Sequence, residues 1–149
     1  MKKSTELFMG MRNLFRLYDR LLKKVCTKYE LTLLEAEIIS FLQNNPGKDT
    51  AADIVELRML SKGAVSKGVD SLIQKSLIER IPDRKDRRKI HLKLMSQAEP
   101  VMETINEVRD EFLNMILEGF SQEELEMQAQ FFRKLFGNTK KAIEGRKWS

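Results

Sequence analysis

The sequence predicts a mainly α-helical fold with one small β-hairpin, and three observations support this prediction. Most of the 149 residues lie in segments whose apolar side chains recur every three or four positions, as they do on one face of a helix. The segment at residues 90–94 alternates apolar and polar residues instead, which is typical of a strand. The chain has only 3 prolines and 7 glycines, so few interruptions of the helices are expected.

Two helices are predicted before residue 50. The first covers residues 4–28 and carries a broad apolar stripe along one side. The second begins after Thr32, because Thr32 and Glu35 have the spacing of a capping box, in which each side chain bonds the other residue's backbone amide. The segment NNPGKD at residues 44–49 ends this helix, since it is rich in residues that favour turns.

Two shorter helices follow. Thr50 can cap the first, which ends near Arg58, and Ser61 can cap the second, which runs to about Lys75 after a tight connection at residues 59–61. In the second of these helices the apolar and polar side chains separate onto opposite sides. The apolar side holds Val65, Val69, Leu72 and Ile73, and the polar side holds Lys62, Ser66, Lys67 and Asp70.

A hairpin and two long helices complete the chain. An extended piece at residues 78–81 and the alternating strand at 90–94 are joined by a charged tip that contains PDRKDR. Ser96 with Glu99 predicts a capping box before a helix over residues 101–118. Ser121 with Glu124 predicts another before a helix that ends near Glu144.

This order of elements predicts a winged helix-turn-helix core over residues 31–96, within a single chain of 1–149. The flanking segments, residues 1–30 and 101–149, hold more large apolar side chains than one small core can cover. We therefore expect them to form a helical dimerisation region that packs against a second copy of the chain. The candidate contact residues are Leu7, Met11, Leu14, Phe131, Phe132, Leu135 and Phe136.

Positive charge is confined to the middle of the chain. Residues 58–93 hold eleven basic and four acidic residues, a net charge of +7, whereas the whole chain has +5. Such a segment indicates a surface that faces a polyanion, although a run of charges can also be merely solvated. Because the second helix of a helix-turn-helix enters the DNA major groove, the candidate contacts there are Ser61, Lys62, Gly63, Ser66 and Lys67.

The charged tip of the hairpin supplies a second set of candidate DNA contacts, namely Arg84, Lys85, Asp86, Arg87 and Arg88. A basic hairpin beside a recognition helix is placed to reach the minor groove. We expect the two aspartates of the tip, Asp83 and Asp86, to hold arginine side chains in a fixed direction. Gly63 and Gly68 lie inside the recognition helix, where they permit close approach of DNA or, as we favour for Gly68, of a neighbouring helix.

Several classes of protein are disfavoured. The single cysteine cannot form an intrachain disulfide, and the single histidine, His91, is expected on the solvent-facing side of its strand, so no metal site and no cofactor are predicted. No apolar run approaches the roughly 20 residues that span a bilayer, so a cytoplasmic protein without a membrane partner is expected. Sequence motifs of enzymes, such as HExxH, CxxC and glycine-rich phosphate loops, are absent, and no catalytic residues are predicted.

Residues 31–96 resemble the MarR family of bacterial winged helix-turn-helix transcriptional regulators. The resemblance lies in SKGAVSKGVDSL, in the LIERIPD that follows, and in DRKDRR before the alternating strand. It implies a homodimer that binds a pseudo-palindromic operator in double-stranded DNA, usually as a repressor relieved by a small-molecule effector or by thiol oxidation. It also implies that Asp86 orients Arg88, which enters the minor groove. Where the family continues Leu-Thr-x-x-Gly, this chain has Leu94-Met95-Ser96-Gln97-Ala98.

The nature of the effector stays open at this level. A small-molecule pocket between the first helix, the fifth helix and the DNA-binding part would involve Met11, Phe15 and Phe41. Cys26 is the only candidate for a thiol-redox response, although a cysteine beside an apolar stripe is more often buried and unreactive. A winged-helix module that binds protein or RNA instead of DNA is a further alternative.

Overall fold

A computed structural model describes residues 1–58 and 60–145 of the chain. Within them it has six α-helices and one β-hairpin, which confirms the predicted fold class. The helices are α1 (Lys3–Tyr29), α2 (Leu33–Asn44), α3 (Ala51–Arg58), α4 (Lys62–Gln74), α5 (Glu99–Ile116) and α6 (Gln122–Gly145), and the strands are β1 (Ile78–Pro82) and β2 (Ile90–Leu94). Met59 of the predicted connection and residues 146–149 of the predicted dimerisation region lie outside the described residues.

Local hydrogen bonds explain where the helices begin. Thr32 and Glu35 form the predicted capping box before α2, with N···O distances of 3.1 and 3.0 Å. The hydroxyl groups of Thr50 and Ser121 likewise accept backbone amides three residues further on, at 3.1 Å each. Each cap supplies an acceptor for an amide that the first turn of a helix leaves unpaired.

The predicted capping box of Ser96 and Glu99 is wrong. Residues Ser96–Ala98 form a single 3₁₀ turn, and α5 begins at Glu99 instead. The preceding Met95 is held in an extended conformation because its amide donates to the Leu77 carbonyl at 2.9 Å, which prolongs the pairing of the hairpin. The amide of Ala98 donates to the Met95 carbonyl, so the backbone satisfies this turn without a side-chain cap.

The chain divides into two compact units, residues 1–112 and 113–149. The first has an apolar core to which α1, α2, α4, the hairpin and α5 each contribute a side chain that is at most 2% exposed: Leu22, Ile38, Leu72, Ile78 and Ile105. The last third of α1 and the first half of α5 thus contribute buried side chains to this core, and the prediction that residues 1–30 and 101–149 form a helical dimerisation region stays a prediction. In the second unit, no residue from 113 to 145 is buried.

The hairpin pairs β1 with β2 in antiparallel register, with Ile78 opposite Leu94 and Pro82 opposite Ile90. Only the part of the hairpin near its base is buried, because Leu92 is 5% exposed whereas Ile90 is 43% exposed. The alternation in the sequence therefore predicts the strand correctly but overstates its buried length. The outer end of the hairpin lies beyond the core.

Gly68 allows α4 to pack closely on α2. A Cβ atom built on Gly68 would lie 2.8 Å from Cδ1 of Ile38, whose side chain is fully buried. A Cβ atom on Gly63 would meet no atom of a neighbouring element within 4 Å. Gly68 is therefore required for the close approach of a neighbouring helix, as predicted. Gly63 instead leaves open space on the outer side of α4.

This difference predicts a stabilising effect for the first of two matched substitutions in α4 and none, or a destabilising effect, for the second. Gly63→Ala is expected to raise the free energy of unfolding by about 1 kcal/mol, because alanine favours the helix more than glycine does. Gly68→Ala has the same advantage, but the forced movement of Ile38 costs about 1–3 kcal/mol. Urea unfolding at equal protein concentration measures both changes, and an equal gain in the two variants would contradict the close packing of α4 on α2.

Candidate nucleic-acid interface

The outer side of α4 carries the residues that the sequence assigns to the major groove. Lys62, Gly63, Ser66 and Lys67 are exposed, whereas Val65, Val69 and Leu72 on the inner side are buried. Ser61 caps the helix, since its hydroxyl oxygen accepts the Ala64 amide at 3.1 Å. Its hydroxyl proton stays available to an acceptor outside the helix.

A buried carboxylate fixes the other end of α4. Glu35 of α2 is 2% exposed and accepts hydrogen bonds from Ser71 at 2.9 Å and from Lys75 at 3.1 Å. Burial by itself raises the pKa of Glu35, but the bonds from the Thr32 amide, Lys75 and Ser71 outweigh it and hold the pKa below its ordinary value. The orientation of α4 is thus set by an ion pair as well as by apolar packing, and no pattern in the sequence indicates this pair.

The hairpin is attached to α4 by a second ion pair. The guanidinium of Arg80 on β1 donates to the carboxylate of Asp70 on the polar side of α4. Both side chains are about half exposed, so the pair contributes little to stability. Its consequence is that Asp70 and Arg80 neutralise each other beside the unpaired cations of α4.

The two aspartates of the hairpin tip bind backbone amides. Asp83 Oδ2 accepts the amides of Lys85 and Asp86 at 3.0 and 2.8 Å, and Asp86 Oδ1 accepts the amide of Arg88 at 3.0 Å. Within the described residues, neither carboxylate forms an ion pair with an arginine of the tip. The expectation that they hold arginine side chains is therefore wrong: they shape the backbone from which those side chains project, because a carboxylate readily caps a tight turn.

His91 does not simply face solvent, contrary to expectation. Its side chain is 28% exposed and lies between two carboxylates, with Nδ1 at 2.7 Å from Asp49 Oδ1 and Nε2 at 2.7 Å from Asp83 Oδ1. Asp49 precedes α3, and Asp83 begins the hairpin tip. Sequence reasoning missed both contacts because the two carboxylates are 42 and 8 residues away from His91 in the chain.

The six cations of α4 and the hairpin tip remain unneutralised. They are exposed, and within the described residues none of them is in ion-pair distance of a carboxylate: Lys62, Lys67, Arg84, Lys85, Arg87 and Arg88. Exposed cations without carboxylate partners are free to approach phosphate groups. The positive charge that the sequence confines to one segment is thus displayed on two elements of the structure, α4 and the hairpin tip.

The remaining candidate residues lie elsewhere. The candidate dimer contacts of α1 and α6 are all 38% exposed or more: Leu7, Met11, Leu14, Phe131, Phe132, Leu135 and Phe136.

Of the candidate pocket residues, Phe41 is buried in the core, whereas Met11 and Phe15 are exposed on α1. A shallow cavity of about 320 Å³ lies between residues 45–49 and the hairpin, with His91 and Lys93 in its lining. Burial raises the pKa of the Cys26 thiol, which lowers its reactivity.

Two negative findings apply to the described ranges 1–58 and 60–145. No group of three or more His, Cys, Asp or Glu side chains is arranged to hold a metal ion. No helix there is long and apolar enough to cross a membrane.

The fold and these basic elements define a winged helix-turn-helix protein. Residues 29–89 match the model of the MarR family. The HTH-type transcriptional regulator PecS of Dickeya dadantii (strain 3937) is 29% identical over 129 residues, which cover 85% of this chain and 75% of PecS. Residues 29–89 are thus similar to the MarR family, and the chain is similar over most of its length to a transcriptional regulator.

Solved structures share the fold over nearly the whole chain. A MarR transcriptional regulator from Methanosarcina mazei Go1 superposes with a TM-score of 0.76 at 14% identity, over 91% of this chain and 97% of that chain. BpsR of Bordetella bronchiseptica, whose DNA binding is regulated by 6-hydroxynicotinic acid, gives a TM-score of 0.67 at 16% identity, over 91% and 96% of the two chains. The regions outside residues 29–89 are thus part of the same fold.

The amide contacts of the hairpin tip predict different effects for two aspartate substitutions. Asp83→Ala removes the acceptor of two amides, so exchange of the Lys85 and Asp86 amide protons is expected to accelerate by about tenfold. Asp86→Ala is expected to accelerate exchange chiefly at Arg88. Hydrogen exchange followed by NMR measures all three amides, and unchanged exchange at Lys85 and Asp86 in Asp83→Ala would contradict the proposed shaping of the tip.

Proposed function

We propose that this protein is a sequence-specific, double-stranded DNA-binding transcription regulator that acts in the cytoplasm as a homodimeric repressor. The observation that carries the proposal is the set of six exposed cations on α4 and the hairpin tip that lack a carboxylate partner within the described residues. Nearby Lys75 and Arg80 are neutralised by Glu35 and Asp70. The unpaired positive charge therefore faces outward from the two elements that a winged helix-turn-helix uses on DNA.

In this proposal α4 lies in the major groove and the hairpin tip reaches the adjacent minor groove. Lys62, Ser66 and Lys67 can offer donors to base edges or phosphates, and the open space beside Gly63 allows the duplex to approach the helix backbone. Arg88 is the residue of the tip that we assign to the minor groove, where arginine is attracted by the negative potential. Asp86 supports it by fixing the Arg88 amide.

Two copies are required for a pseudo-palindromic site, and the exposed apolar residues of α1 and α6 support a dimer. Phe131, Phe132, Leu135 and Phe136 are 41–62% exposed within two turns of α6, and Phe132 stacks on Phe136 at 5.5 Å between ring centroids. Isolated chains rarely expose so dense an apolar cluster to water. Pairing with a second copy would bury it and set the spacing of the two recognition helices near one duplex turn, about 34 Å.

We further propose that a small molecule relieves repression. The regulation of BpsR by 6-hydroxynicotinic acid supports this class of effector for the shared fold. Met11, Phe15 and Phe41 stay candidate pocket residues, with Met11 and Phe15 accessible on α1 and Phe41 in the core. The raised pKa of Cys26 supports a small molecule over thiol oxidation as the signal.

The wing is tested by a charge-matched pair of substitutions. Arg88→Ala is expected to weaken binding of duplex DNA by about tenfold. It should also reduce the slope of log affinity against log salt by about 1.8 per dimer, because each of the two subunits loses one contact worth about 0.9. Lys23→Ala removes another exposed cation, on α1, and is expected to change neither quantity appreciably. Fluorescence anisotropy over a salt series gives both values.

Two outcomes would contradict the proposal. A negligible salt slope in the wild-type protein would indicate a module that binds another kind of partner. Sedimentation should also show that both variants remain dimers, and a monomeric wild-type protein would contradict the two-site arrangement.

The recognition helix is tested by selection from random duplexes. Lys62→Ala and Ser66→Ala are expected to alter the selected sequence, since loss of a base contact of bidentate quality costs about 1–3 kcal/mol of discrimination. Lys23→Ala serves again as the control that returns the wild-type sequence. If all variants selected the same DNA sequence, Lys62 and Ser66 would contact only phosphate groups and not bases.

A further inference from the structure

His91 joins the hairpin tip to the body of the protein. It is the only histidine of the chain. Its two ring nitrogens each lie 2.7 Å from a carboxylate oxygen, Nδ1 from Asp49 and Nε2 from Asp83. All three side chains are partly shielded, with 25–35% of each exposed.

These two contacts require a protonated imidazole. An ionised carboxylate can only accept a hydrogen bond, and a neutral imidazole can donate through only one of its nitrogens. Both contacts are therefore satisfied only when Nδ1 and Nε2 each carry a proton. The surroundings agree: the hydrogen bonds to Asp49 and Asp83 raise the pKa of His91, and the bonds from His91 and two tip amides lower the pKa of Asp83 to about 2.

The two carboxylates belong to different parts of the molecule. Asp49 lies between α2 and α3, and its carbonyl also accepts the Leu92 amide at 2.7 Å, so this segment is firmly attached to β2. Asp83 begins the tip, and its other carboxylate oxygen accepts the Lys85 and Asp86 amides. His91 thus connects the firmly held segment before α3 to the turn that carries Arg84–Arg88.

We propose that His91 is a positioning residue for the hairpin tip. When both of its ring nitrogens are hydrogen bonded, His91 holds the tip in the orientation that binds DNA. When the ring loses a proton, one of its two hydrogen bonds, to Asp49 or to Asp83, is lost. DNA affinity then falls as the pH rises through the neutral range. This inference rests on the proposed function, because it concerns the orientation of the same tip.

The other charged groups near His91 do not remove this effect. Lys89 and Lys93 lie on the same face of the hairpin as His91, since they are two residues away on either side of it, and Lys93 also lines the cavity that His91 and Asp49 share. Both lysines oppose protonation of His91. The two carboxylates favour it, and they outweigh the lysines because they are in direct contact with the ring.

The direction of the pH dependence follows from the raised pKa of His91. The stabilisation is fully present below the ordinary histidine pKa of about 6.5 and is lost as the pH rises through the higher value in the folded protein. The same orientation of the tip favours protonation of His91 and binding of DNA. Because such coupling is reciprocal, bound DNA is expected to raise the pKa of His91 further.

The experiment combines NMR with DNA binding. Because His91 is the only histidine, its imidazole signals are assigned without ambiguity. In the DNA-free protein we expect its titration midpoint above about 6.5, with the Lys85 and Asp86 amide shifts following the same curve. Affinity for a pool of random-sequence duplexes of about 30 base pairs, long enough for two half-sites one turn apart, is then measured from about pH 6 to pH 9.

Two variants serve as comparisons. Wild-type affinity is expected to fall by about tenfold over this range, on the order of the loss of one charge-assisted hydrogen bond, and that of His91→Gln by less than about twofold. Asp49→Asn keeps the backbone bond to Leu92 but lowers the imidazole midpoint, so it moves the fall in affinity to lower pH. The positive charge of protonated His91 could also raise DNA affinity simply by attracting phosphate groups. In that case the amide shifts of Lys85 and Asp86 would not follow the titration curve of His91.

Failures of the two proposals can be told apart. Binding of DNA with the same pH profile in the wild type and in His91→Gln, or an imidazole midpoint at or below about 6.5, would overturn this inference alone. Absence of DNA binding at every pH would overturn the proposed function together with it. A midpoint that falls when DNA is added would overturn the coupling between protonation and binding.

Discussion

The packing of α4 is the constraint on which the rest of the structure depends. Val65, Val69 and Leu72 are buried on its inner side, and the absence of a side chain at Gly68 brings it close to Ile38 of α2. The buried carboxylate of Glu35 holds its last turn through Ser71 and Lys75. Apolar packing alone is non-directional, whereas an ion pair that is satisfied by several hydrogen bonds has a defined geometry. With one side of α4 held in this way, Lys62 and Lys67 have nowhere to lie except on the outside.

Charges of opposite sign have separate tasks in the hairpin. The carboxylates of Asp83 and Asp86 bind amides of the tip backbone, and Asp70 of α4 neutralises Arg80 at the hairpin's base. The cations of the tip have no carboxylate partner within the described ranges, so the negative charges shape the hairpin and the positive charges remain for a ligand. A net charge of the segment would not reveal this division, since it counts both kinds together. It is the reason why a tip that contains two aspartates is still suited to approach phosphate groups.

Most of the helices and all but one of the caps follow from the sequence, because a cap depends on residues three positions apart. The one failure, at Ser96 and Glu99, has a long-range cause instead of a local one. The amide of Met95 is held by the Leu77 carbonyl, and this pairing determines where α5 begins. The outward face of α4 was likewise predictable from its periodicity. The contacts of the hairpin tip were not, because the sequence indicates which residues carry charge but not whether a carboxylate binds an amide or a guanidinium.

The sequence by itself determined the order of the elements, the two sides of α4 and the confinement of positive charge to one segment, since each of these is written in the spacing of neighbouring residues. The tertiary structure alone decided that α1 and α5 share the core of the winged helix-turn-helix, that Glu35 holds α4, and that His91 lies between Asp49 and Asp83. Glu35 meets Ser71 across 36 residues, and His91 meets Asp49 across 42. Such partners come together only when the chain has folded, because burial of the apolar side chains, and not the local pattern, brings distant segments into contact.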